Sequence, residues 1–195
     1  MSRDTPLRRG LRGTLLTVTV TGLVLAGCSS ESSEHDHMDD GGPTGALSTP
    51  PPPSLPERFA GTDQTDPESV MVAAAETLFS YDPIADANQA AAAERAKPLL
   101  DEQFYDENTL SFSVLAPISG NRWQSWRDEQ AVVTATARIT DDDHPADAPA
   151  RISRVVAVDV VATAPTGREV DRMSWAAYMS ATKLGVWRVN AVSVR

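Results

Sequence analysis

The chain has a single cysteine, Cys28, and only two lysines among its 195 residues. One cysteine cannot form a disulfide within the chain, so a disulfide-stabilised fold is excluded. The sequence also lacks a glycine-rich phosphate loop, a nucleophile elbow and the Cys/His spacing of a metal site. We therefore expect a protein that is not an enzyme and that carries no cofactor.

Positive charge is also scarce. The 17 basic residues are outnumbered by 27 acidic ones, which gives a formal net charge of −10. A negative surface excludes nucleic acid as a partner, because phosphate binding needs a positive surface. It also disfavours flat adhesion to anionic lipid headgroups.

The longest apolar run covers residues 15–26, about a dozen residues, whereas a membrane-spanning helix needs roughly 20. Four arginines precede this run, namely Arg3, Arg8, Arg9 and Arg12. A short apolar run behind a positive cluster is typical of a cleaved export signal. We therefore assign residues 1–27 to a signal peptide.

The motif Leu25-Ala26-Gly27-Cys28 resembles the cleavage site of bacterial lipoprotein signals. This resemblance implies cleavage before Cys28 and a thioether-linked diacylglycerol on its sulfur. Two acyl chains hold a protein stably on a membrane, whereas one holds it only marginally. We expect a protein anchored at the extracytoplasmic face of the cell membrane; the alternatives are an ordinary signal peptide or a short membrane anchor.

Arginine outnumbers lysine 15 to 2 and alanine is abundant, which is typical of GC-rich genomes such as those of actinobacteria. In such a host the lipid would sit in the outer leaflet of the cytoplasmic membrane, whereas Ser29 permits outer-membrane sorting in a Gram-negative host. Cleavage removes four arginines and one aspartate, so 13 basic and 26 acidic residues remain and the net charge becomes −13.

Residues 28–65 are predicted to form a tether that follows the lipidated cysteine. They contain few large apolar residues and a run of four prolines at 50–53, so they cannot offset the entropy of ordering. His35 and His37 lie among aspartates and could chelate zinc or copper. We favour a solvated acidic linker, because nothing in the sequence closes a ligand shell around a metal.

Residues 66–195 are long enough for one domain with a single core. Asp66, Pro67 and Glu68 form a typical helix start, with a capping side chain, a first-position proline and an acid in the first turn. Apolar residues then recur at helical spacing to Phe79. A second, alanine-rich helix is predicted over 86–105, with Pro98 kinking or splitting it.

Four later segments have the alternation or the β-branched content of strands: 130–140, 151–164, 169–183 and 186–194. An acidic loop at 141–149 and turns at 165–167 and 184–185 connect them. We also expect a short strand at 109–115 and a turn at 117–120. Helices followed by long antiparallel strands predict an α+β fold, with N-terminal helices packed in a strongly curved antiparallel sheet of about four strands.

The order of helices, short strand and long meander resembles the cone-shaped nuclear transport factor 2-like superfold. Residues 183–192 (KLGVWRVNAV) resemble its closing hairpin, and 79–82 (FSYD) and the Leu99-Leu100 pair with Phe104 also fit. Across 67–195 the chain is similar to extracytoplasmic domains of mammalian-cell-entry-associated proteins and of a type IV secretion assembly subunit. The resemblance implies a partner in an envelope complex, and homodimers through the open sheet face are common in that superfold.

Asp159 is the candidate for a catalytic base, because it interrupts a valine-rich strand and enzymes of this superfold place an acid inside the cone. Its same-face neighbours Val155, Ala157 and Val161 are apolar. A solvated strand face or a partner arginine explains it as well, and we favour that structural role. Arginines are predicted on the nearby strands at Arg138, Arg151, Arg154 and Arg172.

Four aromatic residues are candidate binding anchors. Trp123 and Trp126 precede the sheet and would either lie exposed or plug the cone mouth. Trp175 and Tyr178 lie on opposite faces of one predicted strand, so at least one should point outward or into a pocket.

Three hypotheses follow from the sequence. The leading one is a lipid-anchored, non-enzymatic accessory or scaffold protein that binds a secretion, conjugation or lipid-import assembly through its outer sheet face or cone mouth. The alternative is a carrier that holds an apolar small molecule in the cone cavity. The third is a hydrolase or isomerase that uses Asp159.

Overall fold

Helices and strands occupy separate halves of residues 51–195, the part of the chain that the computed structural model describes. The helices are α1 (Pro67–Leu78), α2 (Ala90–Ala96), α3 (Glu102–Asn108) and α4 (Gly120–Asp128). The strands are β1 (Val132–Ile139), β2 (Arg151–Thr163), β3 (Glu169–Leu184) and β4 (Val186–Val194). This order confirms the predicted α+β class. None of the described helices is long and apolar enough to cross a membrane.

The four strands form one antiparallel sheet in the order β1-β2-β3-β4. Chain order and spatial order coincide, as in a simple meander. Gly167 and Gly185 occupy the last two hairpin turns with φ of 83° and 85°, a left-handed conformation that glycine adopts without steric cost. Both turns lie where the sequence predicts them.

One face of the sheet is the floor of the hydrophobic core. Alternate residues of β2 and β3 are buried on this face, among them Val156, Val158, Ala177 and Met179. Helix α1 lies on this face and contacts all four strands. The opposite face, which we call the outer sheet face, carries the intervening residues.

Local sequence signals fix the helix boundaries. The Asp66 side chain accepts a hydrogen bond from the backbone N–H of Glu68 at 3.0 Å, so the predicted cap of α1 is confirmed. Pro98 ends α2, because its ring cannot continue an α-helix and a 3-10 turn follows over Lys97–Leu99. The chain resumes helical structure only at α3, so the split predicted at Pro98 is confirmed.

Two predictions for the segment between α3 and the sheet are wrong. Residues 109–115 form no strand; a 3-10 turn covers Ser111–Val114, and the Phe112 ring stacks on Tyr105 with centroids 5.7 Å apart. Phe112 is buried by this contact and not by packing in a sheet. The segment predicted as a turn at 117–120 leads directly into α4, which the sequence analysis does not anticipate.

The folded domain begins before the predicted boundary at residue 66. Phe59 lies in the core, and Leu55 packs against it. The backbone N–H of Trp187 in β4 donates to the carbonyl of Gln64 at 3.0 Å. Residues 55–65 therefore belong to the domain, because two apolar side chains spaced four apart anchor them.

Candidate docking surface

The interior of the domain is filled by its own side chains. Trp126 and Trp175 are buried, so Trp126 does not take the exposed position that was one of the two alternatives predicted for Trp123 and Trp126. Trp175 packs edge-on against Phe79 at 5.3 Å, and Trp123 packs edge-on against Tyr81 at the same distance. Trp126 and Trp175 belong to the core and cannot serve as exposed anchors, whereas Trp123 is partly buried and packs against that core. Cys28, His35 and His37 lie outside the described residues.

The aromatic core contains polar atoms without partners. The Tyr81 hydroxyl and the indole nitrogens of Trp123 and Trp175 are buried and form no hydrogen bond. Burial raises the pKa of Tyr81 strongly, so the phenol stays protonated at physiological pH. This tyrosine is therefore poorly suited to act as a proton acceptor.

Asp159 lies on the outer sheet face and not in the core. Its side chain is 46% exposed and forms an ion pair with Arg138 at 3.0 Å. The core face of β2 is instead formed by Val156, Val158 and Val160. Asp159 therefore has a partner arginine, as in the structural role that the sequence favours. A catalytic role would need an apolar cavity around this carboxylate, and the carboxylate is not in one.

The grooves formed by residues 51–195 are open to solvent. The largest described has a volume of about 490 Å³ and runs along α1, where Glu68 and Glu76 contribute charge to its walls. A second, of about 290 Å³, lies at the start of α4 beside Trp123. No cluster of three potential metal ligands is found among the described residues.

A third groove, of about 280 Å³, lies on the outer sheet face. Tyr178 borders this groove and is 42% exposed. Trp175, on the same strand, points into the core, so the two residues lie on opposite faces as predicted. The floor consists of small side chains from β2, β3 and β4, namely Ser153, Val155, Ser180, Ala191 and Ser193. The loop residues Asp143–Pro145 form one wall.

Two hydroxyls of the groove floor are bonded to each other: Ser153 and Ser180 face each other across β2 and β3 with their oxygens 2.7 Å apart. The floor therefore presents carbon, this pair of hydroxyls and the exposed Ser193 to a ligand. On the rim, the Arg195 guanidinium lies 5.2 Å from the centroid of the Tyr178 ring, a cation–π arrangement that limits the motion of both side chains.

Arg154 holds the loop that forms the groove wall. Its guanidinium donates to both carboxylate oxygens of Asp147 at 2.7 and 2.8 Å, and its Nε donates to the carboxylate of Glu68 of α1 at 2.7 Å. Hydrogen bonding to Asp147 raises the pKa of Arg154 despite its burial. The sequence predicts Arg154 only as an arginine on a strand near Asp159; its bonds to Asp147 depend on how the loop folds back over β2.

This geometry suits the binding of one apolar side chain beside Tyr178, with Asp143 and His144 in the groove wall. Of the four aromatic candidates, Tyr178 alone has the exposure that a binding anchor needs, and Trp123 is only partly exposed at the second groove. No protein-family model, no curated protein and no solved structure matches this chain.

Proposed function

We propose that this chain is a lipid-anchored, non-enzymatic docking protein of the cell envelope. Cys28 carries the anchor at the extracytoplasmic face of the membrane, and the outer sheet face binds a protein of a membrane assembly for secretion, conjugation or lipid import. The groove beside Tyr178 is the observation that carries this proposal.

The composition of the groove supports a protein partner. Tyrosine is enriched at the energetic centres of protein interfaces because it buries a large area at a small cost in conformational entropy. Tyr178 stands over small residues, so a partner side chain can pack against its ring. The proposal needs no buried ligand, which agrees with an interior filled by aromatic and aliphatic side chains.

We also propose that the sheet wraps around α1 as in the nuclear transport factor 2-like cone. Contact of α1 with all four strands supports this, because strands that curve around one helix can all reach it. A crystal structure would test it through the angle between β1 and β4.

The carrier alternative has weaker support. The groove along α1 has enough volume for a small molecule, for which a few hundred Å³ suffice. Ligand sites of that kind bury most of the ligand surface, and this groove is open and bordered by two glutamates. An apolar ligand would leave much of its surface in water there.

The docking proposal is tested by photocrosslinking in intact cells. A photoreactive amino acid at position 178 should crosslink to a component of a membrane assembly, and the same probe at Leu110 should not. Leu110 is the matched control because it is also exposed but lies on the helical side. Crosslinks of equal yield at both positions, or at neither, would contradict the proposal.

The anchor is tested separately by the mass of the membrane-extracted protein. We expect an acyl modification on the peptide that begins at residue 28 and its loss in a Cys28→Ser variant. A mature protein that begins elsewhere and carries no lipid would overturn this part of the proposal.

A further inference from the structure

The turn between β3 and β4 presents an apolar side chain to solvent. Leu184 is 83% exposed, and Gly185 follows it in the left-handed conformation that the tight turn requires. A leucine at the tip of a hairpin packs against nothing in its own domain. Its apolar side chain is therefore available for contact with an apolar environment outside the domain.

Cations surround this tip. The strand register places Arg151, Thr182 and Arg188 in one row across β2, β3 and β4, and Lys183 precedes the exposed leucine. With a strand separation of about 4.8 Å, the two arginines start about 10 Å apart. Their side chains can converge on one anionic surface.

These cations differ from the other basic residues of the sheet in having no acidic partner. Arg138, Arg154 and Arg172 each form an ion pair with a carboxylate. Within residues 51–195, no carboxylate lies within 4.0 Å of the charged groups of Arg151, Lys183 or Arg188. Among the residues within the four strands, the unpaired positive charge is thus concentrated at one end.

Of the three unpaired cations, Arg188 is the one whose guanidinium is partly buried and hydrogen-bonded within the protein. Its guanidinium donates only to neutral oxygens, at 2.5 Å to the Gln64 side chain and at 2.7 Å to the Trp187 carbonyl. Burial lowers its pKa, because no carboxylate compensates the lost hydration. An external anion would supply the missing charge.

The path of the chain places the tether at the same end. Gln64, which binds Arg188, also donates from its side-chain nitrogen to the carbonyl of Pro53 at 2.8 Å. The described chain therefore leaves the domain toward its N-terminus beside Arg188. In the proposed anchored protein, 22 residues separate Pro51 from the lipidated Cys28.

We propose that Arg151, Lys183, Leu184 and Arg188, together called the hairpin end, bind the anionic phospholipid surface of the membrane that holds the anchor. The cations contact phosphate headgroups and Leu184 enters the interfacial region. This inference rests on the proposed function only for the presence of the membrane. It gives the domain a fixed orientation, with the outer sheet face turned sideways toward a neighbouring membrane protein.

The strength of such a contact follows from general membrane electrostatics. Each basic residue near an anionic membrane surface raises the membrane partition coefficient of a protein about fivefold. The acidic loop at 141–143 opposes the contact, since it lies at the same end of the sheet. Its residue Asp143 lies over the outer sheet face beside Ser153 of β2 and Ala191 of β4, so the charges of this loop should weaken the contact measurably.

The test is vesicle co-sedimentation of the mature chain from residue 28, with Cys28→Ser to remove the acyl chains. We expect binding to phosphatidylcholine vesicles that contain phosphatidylglycerol, little binding to pure phosphatidylcholine, and release by salt. An Arg151→Gln/Lys183→Gln variant should lower partition about 25-fold. Leu184→Ser should lower it about tenfold, and Asp141→Asn/Asp142→Asn/Asp143→Asn should raise it.

The matched control removes the same charge from the opposite end of the sheet. Arg127 belongs to α4 and Arg168 pairs with Glu129, so Arg127→Gln/Arg168→Gln should leave partition within about twofold. If both double variants lost vesicle binding equally, the binding would depend only on net charge, and the proposal would be overturned. Binding that does not depend on phosphatidylglycerol would also overturn it. The chain tested carries no lipid and no partner. An absence of vesicle binding would therefore not change the results expected for the mass of the Cys28 peptide or for crosslinking from position 178.

Discussion

The Trp126 indole nitrogen donates a hydrogen bond to the Asp171 carboxylate at 2.9 Å and thereby joins α4 to β3. Arg122, one turn earlier on α4, places its Nε 2.8 Å from the same carboxylate oxygen. A polar helix with a single buried residue is thus attached to the sheet by one acidic side chain. Without Asp171, the buried indole N–H would have no acceptor.

Replacement of Asp171 by alanine should therefore destabilise the domain by about 2 kcal/mol, since an unsatisfied buried donor costs about 1–3 kcal/mol. Urea unfolding followed by tryptophan fluorescence measures the change. Asp128→Ala is the control, because that carboxylate accepts only an exposed bond from Gln124. An Asp171→Ala variant as stable as the control would show that α4 is held by packing alone.

The burial of Asp86 beside Arg95 should make stability depend on pH. The two side chains form a bidentate pair at 2.6 and 2.9 Å. Burial alone would raise the pKa of Asp86, but hydrogen bonds from Arg95 and from the Asp82 backbone hold it below its ordinary value. A lowered folded-state pKa means that the stabilisation is complete above the unfolded value and is lost as the pH falls.

We expect the free energy of unfolding of the natural chain to decrease as the pH drops below about 4, and Asp86→Asn to remove part of this dependence. At neutral pH the same variant should lose about 3 kcal/mol, because it leaves a cation without its partner. Glu169→Gln serves as the control, since its pair with Arg172 is exposed. Parallel pH profiles for natural chain and Asp86→Asn would refute the assignment.

Strand β1 lies at an edge of the sheet, and its outward N–H groups are covered by the segment 76–80, which contains the end of α1 and the residues that follow it. Ser80 Oγ accepts from the Ala135 N–H at 2.9 Å, and Glu76 accepts from the Ala137 N–H at 3.2 Å. A bare edge strand would offer these donors to a second chain. The side chains of this segment therefore protect the protein from edge-to-edge association.

A Ser80→Ala variant should lose about 1 kcal/mol of stability and should aggregate faster at high protein concentration, as light scattering would detect. Ser113→Ala is the control, since that hydroxyl donates to a carbonyl within an exposed turn. If both variants behave alike, the edge is protected by other means.

The four strands and the start of α1 are predictable from the sequence because each depends on a local signal. Alternation identifies β1, and Asp66 with Pro67 identifies the helix start. Helix α4 escapes prediction because its sequence GNRWQSWRD is mostly polar. Ser119, which caps its N-terminus, and the three-residue spacing of Trp123 and Trp126 were the available signals.

The candidate site depends on information that the sequence does not contain. Strand β2 is apolar on both faces, so its pattern alone cannot decide whether Val156 or Val155 faces the core. The register with β3 and the position of α1 decide it, and they put Tyr178 outside and Trp175 inside. The groove exists only because the loop residues 143–145 lie over the outer face.

The outward position of Asp159 predicts that its charge is dispensable for folding. Its ion pair with Arg138 is exposed on both sides, and such pairs contribute about 0–1 kcal/mol. Asp159→Asn should therefore change the free energy of unfolding by less than about 0.5 kcal/mol, whereas Val158→Asp, one position along on the core face, should prevent folding. Urea unfolding of both variants tests this contrast. A loss of several kcal/mol in Asp159→Asn would mean that the carboxylate is buried and would return it to consideration as a functional acid.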